Sequence, residues 1–141
     1  MNFAGFNYLA IPLAAFVSFM CGGIWYGALS KPWMAASGMT AERIQAANKG
    51  RKIPWPFVIA IVSQLVMAFV LAGLIGHLGQ GQVTVWNGII SGAFVWLGFV
   101  ATTLATNHAF QEQPTNLTLI DGGHWLVVLI LQGTIIGWIG V

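Results

Sequence analysis

Four apolar runs separated by three polar stretches set the plan of this 141-residue chain. The runs cover about residues 6–29, 56–76, 85–106 and 120–141. Each supplies the ~20 mostly apolar residues that a helix needs to cross the hydrocarbon layer. A backbone in lipid must satisfy its own peptide groups, and a helix does this within one segment. The pattern therefore predicts an all-α protein, an integral membrane four-helix bundle with antiparallel neighbouring helices, forming one transmembrane domain over residues 1–141. The prolines fall where helices tolerate them. Pro12 lies in the first turns of the first run, and Pro54 and Pro56 stand at the start of the second.

The polar stretches differ in kind. Residues 30–53 form a long loop holding all five basic side chains, Lys31, Arg43, Lys49, Arg51 and Lys52. Within it, Thr40 is placed to cap a short helix with Glu42 in its first turn, ending near Lys49-Gly50. The second stretch, from His77 to Thr84, is short, uncharged and glycine-rich, which predicts a tight connection. The third, residues 107–119, is polar around Gln111, Glu112, Gln113 and Pro114. Basic loops stay on the cytoplasmic side. Loop 30–53 is accordingly expected inside, with the N-terminus, the His77 turn and the C-terminus outside.

Composition agrees with this plan. Only 6% of residues are charged and 57% are hydrophobic, whereas a soluble domain carries about 25% charged residues. The net charge of +2 rests on too few side chains, confined to one loop, for a nucleic-acid partner. The lone Cys21 excludes an internal disulfide. The N-terminal residues lack the basic region of a signal peptide, so the first run is expected to be a retained helix. Aromatic residues favour the headgroup level. Trp25, Tyr26, Trp33, Trp55 and Trp125 fall near the inner face and Trp86 and Trp138 near the outer one, leaving Trp96 near the middle.

Small residues recur at helix-packing spacing: Gly23 and Gly27, Ala68 and Ala72, Gly88 and Gly92, Gly133 and Gly137. Such pairs let helices approach closely, within a monomer or between subunits. Polar groups inside the runs are few. Gln64, Gln132, Thr102, Thr103, Thr106 and Asn107 suit hydrogen bonds between helices, or a polar pathway. The middles of the first two runs carry no charged side chain, which argues against a proton-coupled exporter.

One constellation could carry chemistry. His108 and Glu112 are four apart, and Asp121 and His124 three apart. If both segments are helical, each pair shares a face. A hairpin would bring all four to the cytoplasmic end. His108, Glu112, Asp121 and His124 would suit a divalent transition metal, the two imidazoles a haem, and a His–carboxylate pair a proton relay. The structural alternative is plainer. Asp121 favours the positive end of the last helix, Glu112 belongs to the loop near Pro114, and both histidines sit at interface depth. His77, in the outer turn, cannot join them. No phosphate loop, dinucleotide fingerprint, paired-Cys pattern or nucleophile elbow is present.

The residues Trp25-Tyr26-Gly27, Lys31-Pro32-Trp33-Met34 and Gly38, with the step Asp121-Gly122-Gly123-His124, resemble the signature of an uncharacterised bacterial membrane family catalogued as domain of unknown function 1761. The resemblance covers almost the whole chain. It implies a small four-helix protein of the bacterial inner membrane and brings no activity or cofactor. Physically, Trp25, Tyr26, Lys31, Trp33 and Trp55 suit interface anchors, and Pro32 suits the start of a short interfacial helix.

These readings lean away from an enzyme. The first expectation is a protein that acts through helix packing in the lipid bilayer, as a homo-oligomer or an accessory subunit of a membrane partner. The alternatives are a small transporter or channel for a neutral solute, and a haem- or metal-binding protein using His108 and His124.

Overall fold

The computed structural model describes residues 4–141. The first three residues, part of the N-terminal stretch without a basic targeting region, lie outside the described residues. Seven α-helices and one π-helical segment follow in order. They are α1 (Ala10–Ala28), α2 (Ser30–Ser37), α3 (Ala41–Asn48), α4 (Trp55–Gly76), α5 (Val85–Val95), the π segment (Trp96–Ala101), α6 (Thr102–Phe110) and α7 (Thr115–Ile139). The π segment joins α5 and α6 into one span, Val85–Phe110. With α1, α4 and α7 it makes four helices long and apolar enough to cross a membrane. The fold is all-helical and bundle-like.

Local chemistry explains most boundaries. The Asn7 carboxamide accepts the Leu9 N–H at 3.0 Å, and this turn delays α1 until Ala10 rather than residue 6. Pro12 then sits in the first turn, where a missing N–H costs little. Loop 30–53 is more helical than a loop. α2 carries Lys31 and Pro32 in its first turn and stops at Gly38, whose φ of 69° is the left-handed stop that glycine adopts freely. The Thr40 hydroxyl accepts the Arg43 N–H at 3.3 Å, capping α3. The Glu42 backbone N–H and the Thr40 hydroxyl together hold the Glu42 carboxyl below the usual carboxylate range.

The largest departure concerns the last helix. It begins at Thr115, straight after Pro114, not near residue 120. Asp121 and His124 therefore lie in its second and third turns, away from the dipole end first expected for Asp121. The third span also runs past residue 106 to Phe110, so His108 is helical.

α7 is the hub, touching α1, α4, α5 and the π segment. Against α5 it packs backbone to backbone, with Gly88 facing Gly133 so closely that a Cβ on either would overlap the other's carbonyl. Ala10, Ala14 and Ala15 of α1 and Ala68 and Ala72 of α4 are buried with Leu71, Ile75, Leu129 and Ile136. This core lies at the end of the bundle away from α2 and α3. The entering chain closes that end, with the Ala4 N–H donated to the Gly76 carbonyl at 3.0 Å. Farther along, the Gln132 amide donates to the Gln64 side-chain oxygen at 2.8 Å, tying α7 to α4. Towards the basic end no such core forms, and the space between α1, α4 and α7 stays partly open.

Candidate functional site

At the basic end α1 and α7 fit by reciprocal exchange. Gly22 of α1 makes room for His124 of α7: a Cβ on Gly22 would stand 2.9 Å from the imidazole Nε2. Gly123 of α7 makes room for Trp25 of α1: a Cβ there would stand 3.0 Å from the indole. Each helix contributes one large ring and one absent side chain. Trp25, Gly123 and His124 come from the motifs singled out in the sequence, which lie about a hundred residues apart and meet here, and Gly22 stands just ahead of the first of them.

Hydrogen bonds lock the fit. The Trp25 indole N–H donates to the Ile120 carbonyl at 3.1 Å. The Trp96 indole N–H, from the first residue of the π segment, donates to the Gly122 carbonyl at 2.8 Å. Two indoles from different helices thus grip the α7 backbone on either side of Asp121, and they settle its rotation. The Tyr26 hydroxyl donates to Asp121 Oδ1 at 2.8 Å. A π turn is frequent at functional sites, and here it presents the ring that reaches α7.

His124 is 5% exposed. Its ring lies 4.8 Å, centre to centre, from both Tyr26 and Trp125. Neither of its ring nitrogens has a hydrogen-bond partner among the described residues. Such an unpaired buried polar group is costly and calls for an explanation. Ser18 Oγ and Gln132 Oε1 are likewise buried without partners.

Two openings flank this ring cluster. The first, about 600 Å³, runs between α1 and α4 and is walled by Gly22, Gly23, Gly27, Phe57, Gln64 and His124, among others. It is mostly apolar. The Gln64 oxygen is used by Gln132, while its own amide nitrogen makes no hydrogen bond among the described residues. The second, about 550 Å³, lies under α2 and α3, with Trp33, Met34 and Ile44 on one side and Tyr26, Asp121 and Trp125 on the other. Tyr26, Phe57, Ala60 and Trp125 border both, so the two are neighbouring parts of one cleft.

The proposed ligand set is not brought together. His108 Nδ1 pairs with the Thr118 hydroxyl at 2.9 Å. Glu112 is exposed in the α6–α7 turn with a left-handed φ of 54°. Asp121 is taken by Tyr26 and His124 is enclosed against α1. Among the described residues no group of three or more His, Cys, Asp or Glu is placed to hold a metal. His124, expected at interface depth, is buried against α1. Trp25 and Tyr26, read as interface anchors, donate their polar hydrogens to α7. Trp33 borders the second opening, Lys31 is exposed on α2, and Trp55 is exposed at the start of α4. Gly23 and Gly27 have nothing within 4 Å of a would-be Cβ and border the first opening instead of packing on a helix. Sequence reasoning missed Gly22, Trp96 and the cleft role of Gln64. The readable signal was a glycine shortly before a ring in each stretch, Gly22 ahead of Trp25 and Gly123 ahead of His124.

The chain matches, over residues 9–137, the family described as Protein of unknown function (DUF1761). It belongs to that family. The DUF1761 match spans both halves of the α1–α7 exchange. No curated protein matches the chain, and no solved structure does.

Proposed function

We propose that this DUF1761 chain is a membrane-embedded binding protein, and that its ligand is a small, mainly apolar molecule with a hydrogen-bonding group. The cleft between α1 and α4 takes the ligand. The observation that carries this reading is a buried imidazole without partners in the wall of an apolar cavity of about 600 Å³. Pockets of about 300–1,000 Å³ accommodate drug-sized molecules, with a few polar groups fixing orientation. The free amide of Gln64 supplies one donor. A turn of the His124 ring about its side-chain bonds supplies a second polar contact, which relieves the unpaired nitrogens.

The neutral-solute transporter uses this same cleft, with transport added to binding. A homo-oligomer or an accessory subunit needs another surface, since Gly88, Gly92, Gly133 and Gly137 all pack against backbone within the chain. In the bacterial inner membrane, with loop 30–53 cytoplasmic, the cleft would lie at the cytoplasmic end.

Thermal unfolding of the protein in nanodiscs tests the reading, with benzyl alcohol, acetophenone and their longer alkyl homologues as probes. Ligand at about a hundred times its Kd adds roughly 2.7 kcal/mol of stability, so a binding probe raises Tm by several degrees. Gly23→Leu fills the open wall and is expected to abolish the shift while leaving the unliganded Tm in place. Equal shifts in wild type and Gly23→Leu, or no shift with any probe, would overturn it.

A further inference from the structure

The part of the cleft beneath α2 and α3 differs chemically from the rest, because it holds a carboxylate. Asp121 lies in the second turn of α7, inside a membrane span. It accepts one hydrogen bond, from Tyr26, and forms no ion pair with a basic side chain among the described residues. An acidic group within a span marks a functional site by default, and its missing partner is the thing to identify. The five basic side chains of loop 30–53 are all exposed, where salt screens their field within about 8 Å.

The surroundings say what kind of partner fits. Tyr26, Trp33 and Trp125 border the same opening as Asp121. Tyr26 and Trp33 stand edge to face with centroids 5.9 Å apart. Aromatic faces attract cations, and rings grouped around a space recognise alkylated ammonium groups. One carboxylate balances one positive charge. A divalent metal needs several hard or nitrogen ligands; His124 lies one turn on in α7, and among the described residues no third His, Cys, Asp or Glu joins it and Asp121 to complete such a set.

We propose that this end of the cleft selects a monovalent organic cation, an amine or quaternary ammonium group, with Asp121 as counter-charge and Tyr26, Trp33 and Trp125 as walls. The inference rests on the reading of the cleft as a ligand site. The apolar body of the ligand lies along Gly23, Phe57 and Gln64, and its charged head lies at Asp121. The Tyr26 hydroxyl holds the carboxylate in place and leaves its other oxygen for the cation.

The test compares benzyltrimethylammonium with its uncharged isostere neopentylbenzene, by saturation-transfer NMR on the protein in nanodiscs of zwitterionic lipid. Wild type is expected to bind the cation at least about tenfold more tightly, the scale of a hydrogen bond or contact to a charged group. Asp121→Asn removes that preference and leaves the isostere within about twofold. Asp121→Glu keeps most of the preference, which guards against a folding artefact. Trp33→Leu keeps the charge, removes one ring and weakens the cation alone, by about threefold or more. If the isostere binds and the cation binds no better, or if Asp121→Asn binds the cation as wild type does, this inference is overturned while the cleft stands as a site. If neither compound binds and the alcohol and ketone probes also fail, both readings fall together.

Discussion

Where α7 meets α5, Gly88 and Gly133 bring two backbones into contact and no side chain intervenes. Where α7 meets α1 at the basic end, the gap is bridged by Trp25 and His124, each seated over a glycine of the other helix. The first contact has no room for even a Cβ at Gly88, Gly92, Gly133 or Gly137. The second leaves an open cleft, an imidazole without partners and a carboxylate without a cation. Lipid tails are as apolar as leucine, so helices in a membrane are held by contact area and hydrogen bonds rather than by escape from water. A seam of glycines secures α7 against α5 tightly enough for the opposite side of the helix to remain loosely filled. On this view the seam is structural and the cleft is where binding happens.

Substitution of glycine tests that contrast most severely. Gly133→Leu drives a side chain into the Gly88 backbone, which cannot yield as a flexible side chain would. We expect a loss of about 3 kcal/mol or more, or failure to fold. The check is chemical unfolding in detergent micelles beside Gly23→Leu, which faces open space. Equal losses for the two variants would remove the distinction between seam and cleft.

An intermediate effect is expected where the two regions join. Gln64→Leu removes the closer acceptor of the buried Gln132 amide, leaving it the Gln64 backbone carbonyl at 3.2 Å, and should cost about 1 kcal/mol. Gln132→Leu removes both polar atoms of that side chain, including the unpaired oxygen, and should cost less. The double variant should fall close to Gln132→Leu alone. If unfolding measurements showed the two single losses simply adding, the hydrogen bond at 2.8 Å would not couple the helices.

The smallest effect belongs to Gly23→Ala. Nothing lies within 4 Å of the added methyl, and alanine favours a helix interior over glycine by roughly 0.5–1 kcal/mol. Stability should hold or rise slightly by the same unfolding measurement. A clear loss would mean that another helix covers this face.

Much of the architecture was legible in advance. The four spans follow from the length and purity of the apolar runs. The short helices of loop 30–53 follow from Pro32, Gly38 and the Thr40 cap, which act over a few residues and need no tertiary partner. The start of α7 was not legible, because Thr115, Asn116 and Thr118 read as loop. The His108 bond to Thr118 shows one of these polar groups satisfied by the neighbouring helix. The small-residue pairs were visible, but spacing alone could not tell Gly88 and Gly133, which pack on backbone, from Gly23 and Gly27, which border a cavity.

The sequence by itself determined that this chain has four segments long and apolar enough to cross a membrane and one basic end, since hydropathy reports how deep along a helix each residue would lie. Only the tertiary structure decided which way each helix turns about its own axis. A span that is apolar all round shows no inward stripe, because lipid and protein core are alike to an apolar side chain. That rotation was settled by shape and by a few hydrogen bonds: Gly22 against His124, Gly123 against Trp25, and two indoles on the α7 carbonyls. It enclosed His124 against α1 and set Asp121 in the wall of a cleft.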